Sequence, residues 1–344
     1  MSRSIRTVPG VLAAVLLAGS LPAEEQVIET ETHRFEEVAE GVYFVSGTGA
    51  MVTRSNAMVV VTEEGVLVVD SHITPAAGRA LIEGIGRITD KPIRTLVNTH
   101  FHYDHSHGNQ SFGPGVRVVG HEYTRHKMTT APLEEHTFKG SSERDKQALE
   151  EMRAALETAS DAEREALEMQ IGIQAAHVES TAEIDPVPPD TTLAEKMTFF
   201  RGGREIQLHF LGRAHTGGDV VVYLPAERLV FTGDMMLGGP PWPGDGWVNE
   251  WPATLERLKQ LDFDLILPGH GPYFRDRELI DHVQAFHREL WEVVSALHAK
   301  GVSPEDAVER IDLSHHAKNL PPARVRVDLR GVQRMYMVLD GTAE

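Results

Sequence analysis

His100-Phe101-His102-Tyr103-Asp104-His105 follows almost directly on the β-forming run Ile93-Arg94-Thr95-Leu96-Val97-Asn98, so a predicted strand delivers its end into four metal-capable side chains. Alternate residues of an extended chain project to one side, which lets His100 and His102 grip a single ion. Asp104 and His105 lie just beyond, where a turn can face them toward a second. Imidazoles and carboxylates are the ligands zinc takes where no thiolate exists, and this chain has no cysteine. A His-rich loop of no consequence is the bland alternative. Four potential ligands within six residues behind a strand outweigh it.

Further along come His215 in Gly212-Arg213-Ala214-His215-Thr216-Gly217-Gly218-Asp219, Asp234 in Phe231-Thr232-Gly233-Asp234, and His270 in Pro268-Gly269-His270-Gly271. Together with the first segment, these resemble the HxHxDH signature and the later motifs of the metallo-β-lactamase superfamily, in that family's order, over about residues 36–275. The resemblance implies an α/β fold, the αββα metallo-β-lactamase sandwich with a helical insertion, and two zinc ions held on loops at one edge. It assigns His100, His102 and His215 to the first zinc, Asp104, His105 and His270 to the second, and Asp234 to a bridge between them. It also matches Asp70 to an early aspartate, and Asp70 and Asp219 are expected to orient ligands. Such a site supports hydrolysis, with water activated between two divalent ions and Asp104 steering that water and relaying its proton.

The substrate does not follow from the resemblance. Many zinc lactamases carry a cysteine at the second zinc, where this chain has Asp234. That difference favours ester, lactone, thioester or amide-type substrates, with β-lactam antibiotics as the alternative. Another class stays open, because the persulfide dioxygenases use the same fold with one iron on two histidines and a carboxylate. His100, His215 and Asp234 offer that set here.

Beyond the site, strands are expected near Gly41–Val45, Ala57–Val61, Val66–Asp70 and Val116–Val119, with the remaining sheet signals after residue 200. Residues 141–178 turn rich in Glu, Ala, Lys, Arg and Leu without proline, which predicts an inserted helical pair broken near Thr158–Asp161, with Ser160 or Asp161 as cap. A lid and a homodimer contact are the sharper readings of that pair, and a solvated decoration the bland one. A helical C-terminal region is expected over 277–344. The loop after Asp234 holds three of the four tryptophans, so Trp242 and Trp247 are expected to wall the substrate side, with His72 also lining the cleft. His107, close to the motif, reads as a loop hydrogen-bonding or ligand-supporting residue rather than a ligand, and His121, His126, His136, His177, His209, His282 and His287 match no motif.

Residues 1–23 read as an export signal: Arg3 and Arg6 precede the short apolar run Val11–Ala18, which predicts a periplasmic or secreted protein whose domain spans 24–344. The run is too short to span a bilayer. A net charge of −18 disfavours nucleic-acid and anionic-membrane partners, leaving a small molecule as the expected one.

Overall fold

The computed structural model describes residues 27–343, so the expected export signal lies outside the described residues. The first of two sheets takes eight strands in chain order: β1 (Val27–Glu29), β2 (His33–Ala39), β3 (Val42–Gly47), β4 (Ala57–Thr62), β5 (Gly65–Val69), β6 (Ile93–Val97), β7 (Arg117–His121) and β8 (Thr191–Leu193). It is antiparallel up to β5 and parallel from β5 to β8. The second runs β13 (Leu265–Pro268), β12 (Leu229–Gly233), β11 (Val220–Leu224), β10 (Arg204–Phe210), β9 (Lys196–Arg201), with β12 and β13 parallel and the rest antiparallel. The expectation that sheet signals resume only after residue 200 is corrected by β8 and β9. Three residues of β8 behind a proline-rich linker are too few to display alternation, and Lys196 and Arg201 frame β9 with charge.

Strand β4 shows why the layers form. Met58 and Val60 face the second sheet, joining Phe44, Leu208, Val222 and Phe231, while Ala57 and Val59 face outward onto α1 (Pro75–Ile85) through Leu81 and Ile85. Period-two alternation with both faces apolar buries both sides of the strand. The second sheet is covered in turn by α6 (Trp251–Lys259), α7 (Glu278–Ala299) and α9 (Leu329–Leu339), through Trp251, Leu255, Phe286, Leu290 and Val332 against Val221 and Val230. The result is helix, sheet, sheet, helix, as expected.

The insertion is a helical pair, α4 (His136–Thr158) and α5 (Asp161–Thr181), somewhat longer than 141–178. Ser160 caps α5 in a reciprocal box with Glu163. The pair is fastened to the sheets by an Arg54–Asp145 ion pair, and Asp145 Oδ2 in turn lies 3.1 Å from His177 Nε2. Short α2 (Tyr103–Ser106), α3 (Glu122–Thr129) and α8 (Pro304–Val308) complete the α-helices among the described residues.

Candidate metal centre

All the chemistry sits at the ends of strands. Strand β6 ends at Val97 and passes into His100 and His102, α2 carries Asp104 and His105, β12 ends beside Asp234, and β13 ends beside His270. His215 comes from the loop between β10 and β11. Backbone at Arg54, Asp70 and His72 has φ of 62°, 61° and 67°, so three residues with side chains adopt the left-handed region around this one edge.

Each of five imidazoles has its outer nitrogen held. His100 Nδ1 lies 3.0 Å from Thr99 Oγ1, His102 Nε2 3.1 Å from Asp245 Oδ2, and His105 Nδ1 2.8 Å from Asp70 Oδ2. His215 Nδ1 reaches the Trp242 carbonyl and His270 Nδ1 the Arg54 carbonyl, both at 3.0 Å. These contacts set which nitrogen faces inward. His102 Nδ1 then lies 3.1 Å from His100 Nε2 and 2.9 Å from His215 Nε2, and His105 Nε2 lies 3.2 Å from His270 Nε2. Asp234 Oδ2 sits 3.1 Å from His270 Nε2 and 3.7 Å from His215 Nε2, between the two groups, while Asp104 Oδ2 is 3.3 Å from His270 Nε2.

The electrostatics agree with the geometry. Burial pushes His215 down to about 3 and His100 well below its usual range, so these rings are neutral. Burial opposes charge on Asp104 and Asp234 as well, but the neighbouring His105 and His270 outweigh it and hold both carboxyls below the usual range. Those two carboxylates in turn raise His270 well above an ordinary imidazole. Lone pairs of neutral rings packed this closely repel one another, and Asp234 Oδ1 is buried without any hydrogen-bond partner. A cation satisfies both defects. Ligand atoms of His100, His102 and His215, of His100, His105 and Asp234, and of Asp104, His105 and His270 all lie within 4.8 Å of one another in each group, and the donor set suits a divalent metal.

Gly269 keeps the centre open, because a Cβ there would sit 2.2 Å from Asp234 Oδ1 and 2.9 Å from His105 Cε1.

The supporting residues fall out as follows. Asp70 is buried, accepts from Thr99 N at 2.8 Å and holds His105. Asp219 accepts from Thr216 N at 2.9 Å and Thr216 Oγ1 at 2.7 Å, bracing the loop next to His215 rather than the ring. Trp242 lines the cavity over the centre. Trp247 does not: it is buried between the guanidinium groups of Arg213 and Arg334, 3.4 and 4.9 Å from its ring centroid, and its backbone N–H donates to the Ala214 carbonyl at 2.8 Å. His72 is likewise removed from the cleft. Ser71 N donates to the His105 carbonyl and the His72 carbonyl accepts from Gly108 N, which ties the segment beneath the ligand loop and buries the ring against His33. Sequence reasoning missed Asp245, Arg54 and His136. Asp245 stands beside Trp242 in a Gly/Pro-rich loop with no motif of its own, and His136 starts the insertion, with Nε2 3.5 Å from Asp245 Oδ1.

The sequence also matches the metallo-beta-lactamase superfamily over residues 50–270. The chain belongs to that superfamily. Its members bind divalent metals, commonly zinc, as the clustered donors here allow. The chain is 24% identical over 275 residues to the linear primary-alkylsulfatase of a Pseudomonas species, covering 75% of this chain and 50% of that protein. It is 29% identical over 113 residues to the metallo-beta-lactamase type 2 of Bacteroides fragilis, covering 31% of this chain and 45% of that one. Among solved structures, a stereoselective inverting sec-alkylsulfatase from Pseudomonas sp. superposes with a TM-score of 0.61 at 15% identity, covering 88% of this chain and 50% of that chain, a likeness of fold. The chain spans about half the length of the first curated relatives it matches.

Proposed function

We propose that this superfamily member is a zinc-dependent hydrolase that uses two ions to cleave an ester-type bond in a small molecule, with lactones, thioesters, amides and sulfate esters as the class to search. The observation that carries the proposal is the set of five imidazoles with outer nitrogens held and inner nitrogens converging on Asp104 and Asp234. His100, His102 and His215 would hold one ion, Asp104, His105 and His270 the other, and Asp234 would span the pair. Two divalent ions bound there supply a polarised water and an electrophilic hold on the substrate oxygen. Asp104, whose Oδ2 lies 3.3 Å from His270 Nε2, would orient the attacking water and take its proton. Asp70 and Asp245 keep His105 and His102 turned inward, and Trp242 walls the cavity. A carboxylate at 234 in place of a soft thiolate supports activated esters over β-lactams. The apolar run behind Arg3 and Arg6 supports a second proposal, that the protein is exported.

The test is metal analysis joined to a substrate screen. Protein purified without added metal should carry zinc rather than iron, at two per chain after zinc loading, and cleave esters, lactones, thioesters or alkyl sulfates with higher kcat/KM than β-lactams. His102→Ala should lose metal and turnover while staying folded. One iron per chain, or full activity in His102→Ala, overturns the assignment.

A further inference from the structure

The cavity over the metal centre encloses about 640 Å³, and three guanidinium groups reach its lining: Arg144 on α4, Arg324 ahead of α9 and Arg330 on α9. With 33 Lys and Arg against 51 Asp and Glu, cations gathered at one opening run against the composition. The three are not equivalent. Arg330 is committed internally, its Nη2 lying 3.3 Å from Asp245 Oδ1 and 3.3 Å from His136 Nδ1. Arg144 and Arg324 form no ion pair among the described residues, whereas Arg54, Arg204, Arg213 and Arg228 each have a carboxylate partner. Of the three acids that line the cavity, Asp104 and Asp234 stand in the histidine cluster, and Asp328 accepts from Trp242 Nε1 at 2.9 Å and Gly331 N at 2.8 Å.

Neither free arginine sits on the strands of the two sheets. Arg144 rides on the inserted helical pair, and Arg324 lies beyond residue 270, where the superfamily match ends. Two separate additions to the sandwich therefore each bring an unpaired guanidinium to the mouth of the same cavity. A guanidinium fork binds oxyanions through paired, charge-assisted hydrogen bonds, and these two have no internal partner to give up. Leu237 and Trp242 supply an apolar wall on the way down to the metal ligands.

Building on the hydrolase proposal, we propose that the substrate is an anion whose charged group is not the one cleaved: a carboxylate, sulfonate or phosphate held by Arg144 and Arg324 at the mouth, with its apolar stem on Leu237 and Trp242 and its scissile bond over the metal centre. The two arginines select the substrate and steer it in.

The experiment uses zinc-loaded full-length protein and a matched pair of probes, mono-4-nitrophenyl succinate and its neutral methyl ester. The wild type favours the anion by about tenfold or more in kcat/KM, mainly through KM, as expected for charge-assisted hydrogen bonds. The double variant Arg144→Gln/Arg324→Gln brings the anion-to-neutral ratio toward one, and Arg326→Gln, exposed but outside the cavity, keeps the wild-type ratio. A wild-type ratio near one, or a ratio the double variant leaves unchanged, overturns the proposal. If neither ester is cleaved, hydrolysis of aryl esters is refuted and binding decides instead. Tryptophan fluorescence is titrated with benzene-1,3-dicarboxylate, benzene-1,3-disulfonate and dimethyl isophthalate. Binding of either anion that weakens about tenfold in the double variant upholds the arginine site, and the two anions distinguish planar from tetrahedral headgroups. Equal binding in wild type and variant, or no preference over the diester, refutes it.

Discussion

His102 differs from its neighbours in presenting Nδ1 to the centre, because Asp245 holds its Nε2 from the far side. Asp70 does the equivalent for His105. Of these two carboxylates only Asp70 was legible in the sequence, since it ends a β run, whereas Asp245 is 143 residues from the histidine it supports and sits in a loop whose shape only the fold supplies. The clustering of metal-capable donors was legible because His100, His102, Asp104 and His105 follow a strand end at fixed short spacings. His72 was misjudged because alternation carries Asp70 and His72 to one side only while the chain stays extended, and positive φ at both ends that extension. Asp245→Ala is expected to leave all seven proposed ligands in the chain yet weaken zinc binding by roughly 10- to 100-fold, as loss of an orienting partner does. A competition titration against a zinc chelator checks this, and an affinity equal to wild type would show that Asp245 holds only Arg330 and His136. Gly269→Ala should be more severe for the centre, with zinc content per chain falling well below that of the wild type, because its Cβ would meet Asp234 Oδ1.

At the level of elements, strands with apolar residues on both faces, such as β4, β5, β11 and β12, were readable from sequence alone. Strand β2 was not. His33-Arg34-Phe35-Glu36-Glu37 alternates, but charge on its exposed face and its place near the sheet edge hide it among loop-like residues. The inserted helices declared themselves by composition, yet their attachment did not. Arg54, whose carbonyl fixes His270, also pairs with Asp145 on α4, so a single residue touches both the metal centre and the insertion. Asp145 in turn holds His177 of α5, making the clamp a three-member chain. Asp145→Ala should therefore loosen the helical pair from the mouth, raising KM several-fold for the preferred substrate while zinc stoichiometry stays at the wild-type value. Faster amide hydrogen exchange across α4 and α5 with an unchanged rate in β4 and β12 is the accompanying signature. Exchange unchanged in α4 and α5 would mean the pair is held by its other contacts, including the Ser180 side chain at Ala76 N.

Across the whole molecule, the layers that bury the sheets also bury imidazoles that belong to none of the metal-capable clusters among the described residues. His287 on α7 is fully buried, stacked on Trp251 with ring centroids 4.3 Å apart, and neither ring nitrogen has a partner. Burial pushes it down to about 3 from an ordinary 6.5, and His33, at the start of β2, is lowered by the same cause to about 4. Each folded pKa lies below the unfolded one, so the unfolded chain binds more protons between the two values, and stability rises with pH there. The contribution is complete above about pH 6.5 and is lost progressively as the pH falls toward 3 for His287. His287→Phe keeps the stacked ring and removes both the titration and the unpartnered nitrogens. It should be more stable than wild type by about 1 kcal/mol at pH 8, where only the buried polar atoms matter. At pH 5 the advantage should grow by about a further 2 kcal/mol, since 1.5 pH units below the unfolded histidine value corresponds to roughly that much proton linkage. Urea unfolding of both proteins at the two pH values measures this, and the variant-minus-wild-type difference cancels the metal that acid strips from both. A difference that does not change between pH 8 and pH 5 would mean that His287 is protonated in the folded protein, with water or a rearranged neighbour solvating it against Trp251.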